Sequence, residues 1–238
     1  MSDNSRLKVD KVRASRDGHE FHVAWAARRA LQLVYSSDDL VGIAVEGLGP
    51  LDQARASADT VEIADLTLYY GDEARFTSAR STAIVQLKYS IGSQEKPFRA
   101  SDAQKTIRKF AASYLNYKKN YGAQPVKQKL SFELVTNRPI LPELVDAIEG
   151  LATGARMKGK VKTQADQVRA ASKLGKQAVR QFASKVKIIG LAGSLIRNRQ
   201  LVARQVADWS PAADSNAQCS LDHLCEVVRT KAGEPTEW

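Results

Sequence analysis

Gln86 and Lys88 stand two residues apart in the stretch STAIVQLKYS, residues 81–90. The stretch reads as a short, mostly apolar β-strand, and strand side chains alternate between two faces. Thr82, Ile84, Gln86 and Lys88 therefore share one side, and Ala83, Val85, Leu87 and Tyr89 share the other. The second set is a core face. The first begins apolar and turns polar at its C-terminal end. Such a lysine either snorkels to water on a half-exposed strand or works in a cleft with carboxylates from elsewhere.

Three carboxylates are placed to meet it. Asp65 interrupts the apolar run IADLTL, where a buried, unpaired carboxylate would be costly. Glu46 ends the apolar strand LVGIAVEG (40–47). Glu20 heads a helical stripe continued by Ala24, Ala27 and Leu31. Each has a plain alternative: a strand-end acid, a salt bridge to Lys88, or a first-turn acid favoured by the helix dipole. Together they form a cluster suited to a hard cation. Mg²⁺ takes carboxylate and water oxygens in octahedral geometry, and Mn²⁺ is expected to substitute. Asp65 is the expected central ligand, with Glu46 and the Gln86 amide oxygen or the Leu87 carbonyl adding to the shell. The metal would acidify water and stabilise charge on a phosphoryl oxygen, and Lys88 would orient that water or help deprotonate it.

The elements that must position these residues follow from periodicity. Residues 1–17 are polar and are expected to be a loose lead-in. GHEFHVAWAARRALQLVY (18–35) carries a 3.6-residue apolar period, and SSDD (36–39) is expected to end that helix. Strands are expected at 40–47, 61–71 and 81–90, in an antiparallel meander, with a loop over 48–59. SDAQKTIRKFAASYLNYKKNYG (101–122) is a helix that Ser101 or Asp102 can cap and Gly122 can stop. KLSFELVTNRP (129–139) is a fourth strand. From Leu141 onward helices are expected, with VKIIGLAG (186–193) a short strand or a helix start.

The 238 residues are 43% hydrophobic and 26% charged, ordinary globular composition for one sizeable core or one domain and a smaller one. No apolar run suggests a membrane span, and the N-terminus carries no apolar signal core. Cys219 and Cys225 suit a reducing, cytoplasmic setting better than a disulfide framework. The net charge of +10 favours a polyanionic partner. Much of it sits in one block: Arg156, Lys158, Lys160, Lys162, Arg169, Lys173, Lys176, Arg180, Lys185 and Lys187, against the single acid Asp166. That block is either a solvated helical face or a surface that tracks phosphates, with Arg99, Lys105 and Arg108 as possible additions.

An acid on one strand followed by acid-x-Lys on the next resembles the PD-(D/E)xK nuclease superfamily. Its fold is a restriction-endonuclease-like α-β-β-β-α-β core with a mixed central sheet, and the element order above is that order. Asp65 matches the first acid, and Gln86-Leu87-Lys88 matches the second motif with Gln in place of Asp or Glu. The departure removes a negative charge and makes a metal lean harder on Glu46 or Glu20. GHEFHVAWAARRALQLV, IAVEG, IADLTLYYG, VQLKYS, KTIRKFAASY and FELVTNRP resemble the N-terminal double-stranded DNA nuclease domain of bacterial anti-phage effectors. These are the cyclic-oligonucleotide-activated effectors and the antiviral STAND NTPases.

The resemblance implies a nuclease core over 18–140 followed by a basic helical extension over 141–238, which includes GLAGSLI and VADWSPAAD. It implies Mg²⁺-dependent hydrolysis of double-stranded DNA with little sequence preference. It also implies activity as a homo-oligomer under control of a linked sensor or NTPase. The rivals are a non-catalytic nucleic-acid-binding module on the same fold, with a decayed site, and a structural or oligomerising domain.

Other signals are weaker. Gly154 to Val161, GARMKGKV, departs from a phosphate-binding loop by placing Val where a hydroxyl would hold Mg²⁺, and no strand precedes it. His19 and His22 have metal-like spacing without a convincing further ligand, although both could line the cleft. Phe110, Tyr114, Tyr117 and Tyr121 form a helical stripe better suited to packing on the sheet than to base stacking. No Gly-x-Ser-x-Gly elbow supports a serine nucleophile.

Overall fold

The computed structural model describes residues 3–34, 39–209 and 217–232. The chain runs α1 (Asp3–Ala30), a 3₁₀ turn (Leu31–Leu33), β1 (Leu40–Val45), α2 (Pro50–Gln53), α3 (Ala58–Ile63), β2 (Leu66–Gly71) and β3 (Ala79–Lys88). It continues through α4 (Ala100–Tyr121), α5 (Ala123–Lys129), β4 (Leu130–Thr136), α6 (Pro142–Thr153), α7 (Gly159–Ser172) and α8 (Lys176–Ala183). It closes with β5 (Val186–Ile189), α9 (Leu195–Trp209) and α10 (Ala217–Lys231). The sheet order is β1-β2-β3-β4-β5. β1, β2 and β3 are antiparallel neighbours, whereas β3–β4 and β4–β5 are parallel. This is an α/β fold with a mixed sheet and a helical C-terminal part, and the order α-β-β-β-α-β of the core is present.

Strand alternation builds a three-layer core. Ile84, Phe132 and Leu134 face Ile107 and Phe110 of α4, Leu144 of α6 and Phe182 of α8. Ala83, Val85, Leu87 and Val135 face Phe21 and Trp25 of α1, Val202 of α9 and Leu221 of α10. Each fully buried phenylalanine contributes about 1.5–3 kcal/mol. The C-terminal helices therefore close both faces of the sheet. Among the described residues, no helix is long and apolar enough to cross a membrane. Phe110, Tyr114 and Tyr117 are buried in the α4 face, so the aromatic stripe packs.

Several local expectations are corrected. The expected loose lead-in is helical from Asp3, continuous with the helix expected from Gly18. The strand expected over 61–71 begins only at Leu66. Residues 58–63 are α3, whose N-cap Ser57 accepts a hydrogen bond from Thr60 N. The loop after β1 contains α2, with Pro50 in its first turn. In α4 the N-cap is Arg99, and Asp102 accepts from the Arg99 amide at 2.9 Å; Gly122 ends the helix at φ 85°. VKIIGLAG is β5 followed by irregular backbone, in which the Leu191 and Ala192 amides donate to Arg138 O and Thr136 O, each at 3.0 Å, so the short-strand reading holds. Gly154 ends α6 in the left-handed region, so no strand enters GARMKGKV. Of the SSDD stop only Asp39 lies within the described residues, and VADWSPAAD runs beyond them after Trp209. Cys219 is exposed, Cys225 is buried, and both are free thiols.

Candidate active site

The site forms where β1, β2 and β3 end together. Glu46 follows β1 with φ 53°, a left-handed backbone that is uncommon outside glycine. Its amide donates to Asp65 O at 2.8 Å, and the Asp65 amide donates to Val85 O at 3.0 Å. Asp65 thus sits in the bend between α3 and β2, just outside the strand expected to contain it, with its backbone held to β3. From there its carboxylate reaches along β3. Oδ2 accepts from Gln86 Nε2 and, at 2.6 Å, from the Leu87 amide. Oδ1 makes no hydrogen bond among the described residues.

Lys88 lies two residues beyond Gln86 on the same face and is half-buried. Burial pushes its amine below the ordinary lysine range; Asp65 opposes this, and the nearby cations Lys105 and Lys109 add to it. Burial also pushes the Asp65 carboxyl up, against the pull of His22, the Leu87 amide, Gln86 and Lys88. His22 of α1 completes the group, with Nε2 4.0 Å from Asp65 Oδ2. Burial lowers its pKa, opposed by Asp65 and Glu46. Its neighbour on the helix, His19, brings Nδ1 to 3.9 Å from Glu46 Oε1. The two histidines therefore each stand beside one of the acids.

Glu20 is directed elsewhere. Both its oxygens accept from Arg229 Nη2, at 2.9 and 2.8 Å, and Arg199 Nη1 lies 3.6 Å away. This acid ties α1 to α9 and α10 and is not gathered with Asp65. On the far side, Lys109 of α4 is 7% exposed and is ion-paired to Glu62 of α3. Sequence reasoning missed Lys109. Its signal was the placement of a lysine one residue before Phe110 on the buried face of α4.

The donor set suits a hard cation. Asp65 Oδ1, the Gln86 amide oxygen and the Leu87 carbonyl are oxygens at one strand end, and Glu46 stands half exposed at the next. Among the described residues, no group of three or more His, Cys, Asp or Glu side chains is arranged to hold a metal.

The basic block occupies α7, α8 and the loops beside them, on the α4 side of the sheet that Gln86 and Lys88 also face. Arg156, Lys158, Lys160, Lys162, Arg169, Lys173, Lys176 and Arg180 are all exposed. Lys162 and Arg169 share Asp166, and Arg180 Nε donates to Ala152 O at 3.2 Å. Arg156, Lys158, Lys160, Lys173 and Lys176 have no such partner among the described residues. Lys187 is exposed on β5, and Lys185 donates to Lys127 O.

No family model matches the sequence, and no curated protein does. Among solved structures, the chain is similar to the Acinetobacter baumannii Cap4 SAVED/CARF-domain containing receptor. The TM-score is 0.49 at 12% identity, over 90% of this chain and 42% of that one. The same receptor with the cyclic trinucleotide 3′3′3′-cAAA gives 0.49 at 12% identity, over 90% and 43%. With 2′3′3′-cAAA it gives 0.47 at 12% identity, over 90% and 41%. The chain spans about two fifths of the length of these receptors.

Proposed function

We propose that the chain is a metal-dependent endonuclease domain that hydrolyses phosphodiester bonds of double-stranded DNA. It would act as the effector part of an anti-phage protein, as its sequence resemblance implies. The observation that carries this is the meeting of Asp65, Gln86 and the Leu87 amide at one strand end, with a desolvated Lys88 on the same face. A plain surface strand would leave Lys88 fully solvated and would not set beside it a carboxylate that is only 17% exposed.

Asp65 Oδ1, the Gln86 and Leu87 oxygens and Glu46 would hold Mg²⁺, which when bound would act as a Lewis acid on the phosphate. The Gln86 amide and the Leu87 amide fix the Asp65 carboxylate, so its free oxygen is pre-aimed. Lys88 would hydrogen-bond the attacking water, and its lowered pKa lets it accept or pass a proton at neutral pH more readily than a free lysine. Lys105 and Lys109 would offset charge developing on the phosphate. The unpaired cations of the basic block would hold the DNA backbone, without reading bases.

The test is nicking of supercoiled plasmid by wild type and Asp65→Asn, with Mg²⁺ or EDTA. Cleavage that needs Mg²⁺ and is lost in the variant is expected. Salt-dependent DNA binding by folded protein, with no cleavage even when the protein is forced to dimerise, would instead establish a binding module with a decayed site.

A further inference from the structure

β5 is an outer strand of the sheet and pairs only with β4 among the described residues. Phe132, which lies opposite Val186, donates its amide to Lys185 O at 2.8 Å. Bonding to a parallel neighbour alternates along a strand, so the backbone N–H and C=O of Val186 and Ile188 point away from β4. None of these groups has a hydrogen-bond partner among the described residues. An open edge of this kind is a template for one more strand.

The edge opens on a groove. Val145, Ile148 and Ala152 form one face of α6, and with Ala183, Val186 and Ile188 they enclose about 490 Å³. Val145 is 48% exposed there. A strand added beside β5 would send alternate side chains into this space, and its walls are apolar apart from Glu149, which is exposed at the rim.

The side chains between those would lie on the other face. Val186 and Ile188 pack with the core on the α4 side, so Lys187 and Ile189 point to the α1 side, where Ile189 shares a cavity with Arg28. Lys187 is exposed and has no ion pair among the described residues. Glu133, its neighbour on β4, lies instead 4.0 Å from Arg29 Nη2. An acid on the added strand, opposite Lys187, would supply the missing counter-charge. A second copy of this chain, pairing through its own β5, would bring another Lys185 and Lys187 to the same edge, and like charges set opposite one another destabilise a strand pair. The lysine therefore rejects a second β5 and favours an acidic strand.

We propose that the β5 edge and the α6 groove bind an extended segment of a partner protein, apolar at alternate positions and acidic between them. The free backbone groups of Val186 and Ile188 would hydrogen-bond the segment, the groove would take its apolar side chains, and Lys187 would select its charge. β4 separates this edge from β3 and the Asp65 site, so the inference stands whether or not the chain cleaves DNA.

The experiment measures the fluorescence anisotropy of labelled peptides mixed with the full chain. The probes are the capped peptide VEVEVEV, its lysine counterpart VKVKVKV, and VEVEVEV N-methylated at one or the other set of alternate amides. Wild type is compared with Lys187→Glu and Val145→Asp, both at exposed positions, and thermal unfolding checks that each is folded. Wild type should bind VEVEVEV at least about fivefold more tightly than VKVKVKV, Lys187→Glu should abolish or reverse that preference, and Val145→Asp should weaken binding at least about tenfold. Methylation of one set of amides should abolish binding, because only alternate amides face β5. No binding of VEVEVEV, binding that survives methylation of both sets in turn, or binding unchanged in either variant would overturn the proposal. Sedimentation of wild type at rising concentration tests the other occupant. Self-association that is lost in Val145→Asp would assign the edge to a second copy and would also overturn it.

Discussion

Gln86→Glu restores an acid at the second motif and tests how Asp65 is held. In the native site Gln86 Nε2 donates to Asp65 Oδ2. A hydrogen bond to a charged group contributes about 1.5–3 kcal/mol, and the substitution removes it. It also sets a second carboxylate near the first. Two such charges about 4 Å apart repel by about 4 kcal/mol at an effective dielectric near 20. Rotation of the new side chain relieves part of this, so a net loss of about 2–4 kcal/mol is expected in metal-free buffer. Mg²⁺ should reverse it, since ligand at 100 times its Kd adds about 2.7 kcal/mol. The assay is urea unfolding at pH 7.5 with EDTA or saturating Mg²⁺. Equal stability of variant and wild type in EDTA would refute the Asp65–Gln86 contact. A loss in EDTA that Mg²⁺ stabilises no more than it does wild type would refute cation binding there.

Glu20→Gln should leave Mg²⁺-dependent cleavage within about twofold of wild type. Its pair with Arg229 is 25% and 32% exposed, so denaturant unfolding should show a loss of about 1 kcal/mol or less. Replacing Lys158, Lys160, Lys173 and Lys176 together by Gln should weaken DNA binding most at low salt. It should also flatten the slope of log K against log salt by up to about 3.6, measured by anisotropy titration. Asp52 is 3% exposed and accepts from Phe76 N at 2.9 Å and Tyr121 Oη at 3.3 Å, yet burial pushes its pKa up. The folded state then binds its proton more tightly than the unfolded chain. This contribution to stability is full below about pH 3.9 and is lost as pH rises through the folded pKa. Wild-type stability relative to Asp52→Asn should therefore be flat below about pH 3.9, fall above it and level off once pH passes the folded pKa, in unfolding measured across pH.

The strand carrying Gln86 and Lys88 was legible because one of its faces is apolar throughout and the other turns polar only at its C-terminal end, and β3 ends at Lys88. The parallel pairing of β4 and the closing of both sheet faces were not, because helices from distant parts of the chain decide them. Residues 61–63 alternate like a strand, but the cap at Ser57 turns them into helix. That moves Asp65 into a bend, where its carboxylate can lie along β3 instead of projecting from a strand. Glu20 heads an apolar stripe by spacing alone. Its partner, Arg229, lies 209 residues away in sequence, and no local pattern could announce the pair. His22 carried a weak signal as one of two histidines three apart, and only the fold sets it beside Asp65.

The central claim is that Lys88, beside Asp65, assists phosphodiester hydrolysis. The most direct measurement is the rate of plasmid nicking by Lys88→Ala and wild type at saturating Mg²⁺, with DNA affinity and unfolding temperature measured on the same samples. A fall of at least about 10²-fold in rate is predicted, within the range for a group that assists proton transfer, with DNA affinity changed by about twofold or less. Nicking by the variant at the wild-type rate would contradict the claim, as would wild-type cleavage that is unaffected by EDTA.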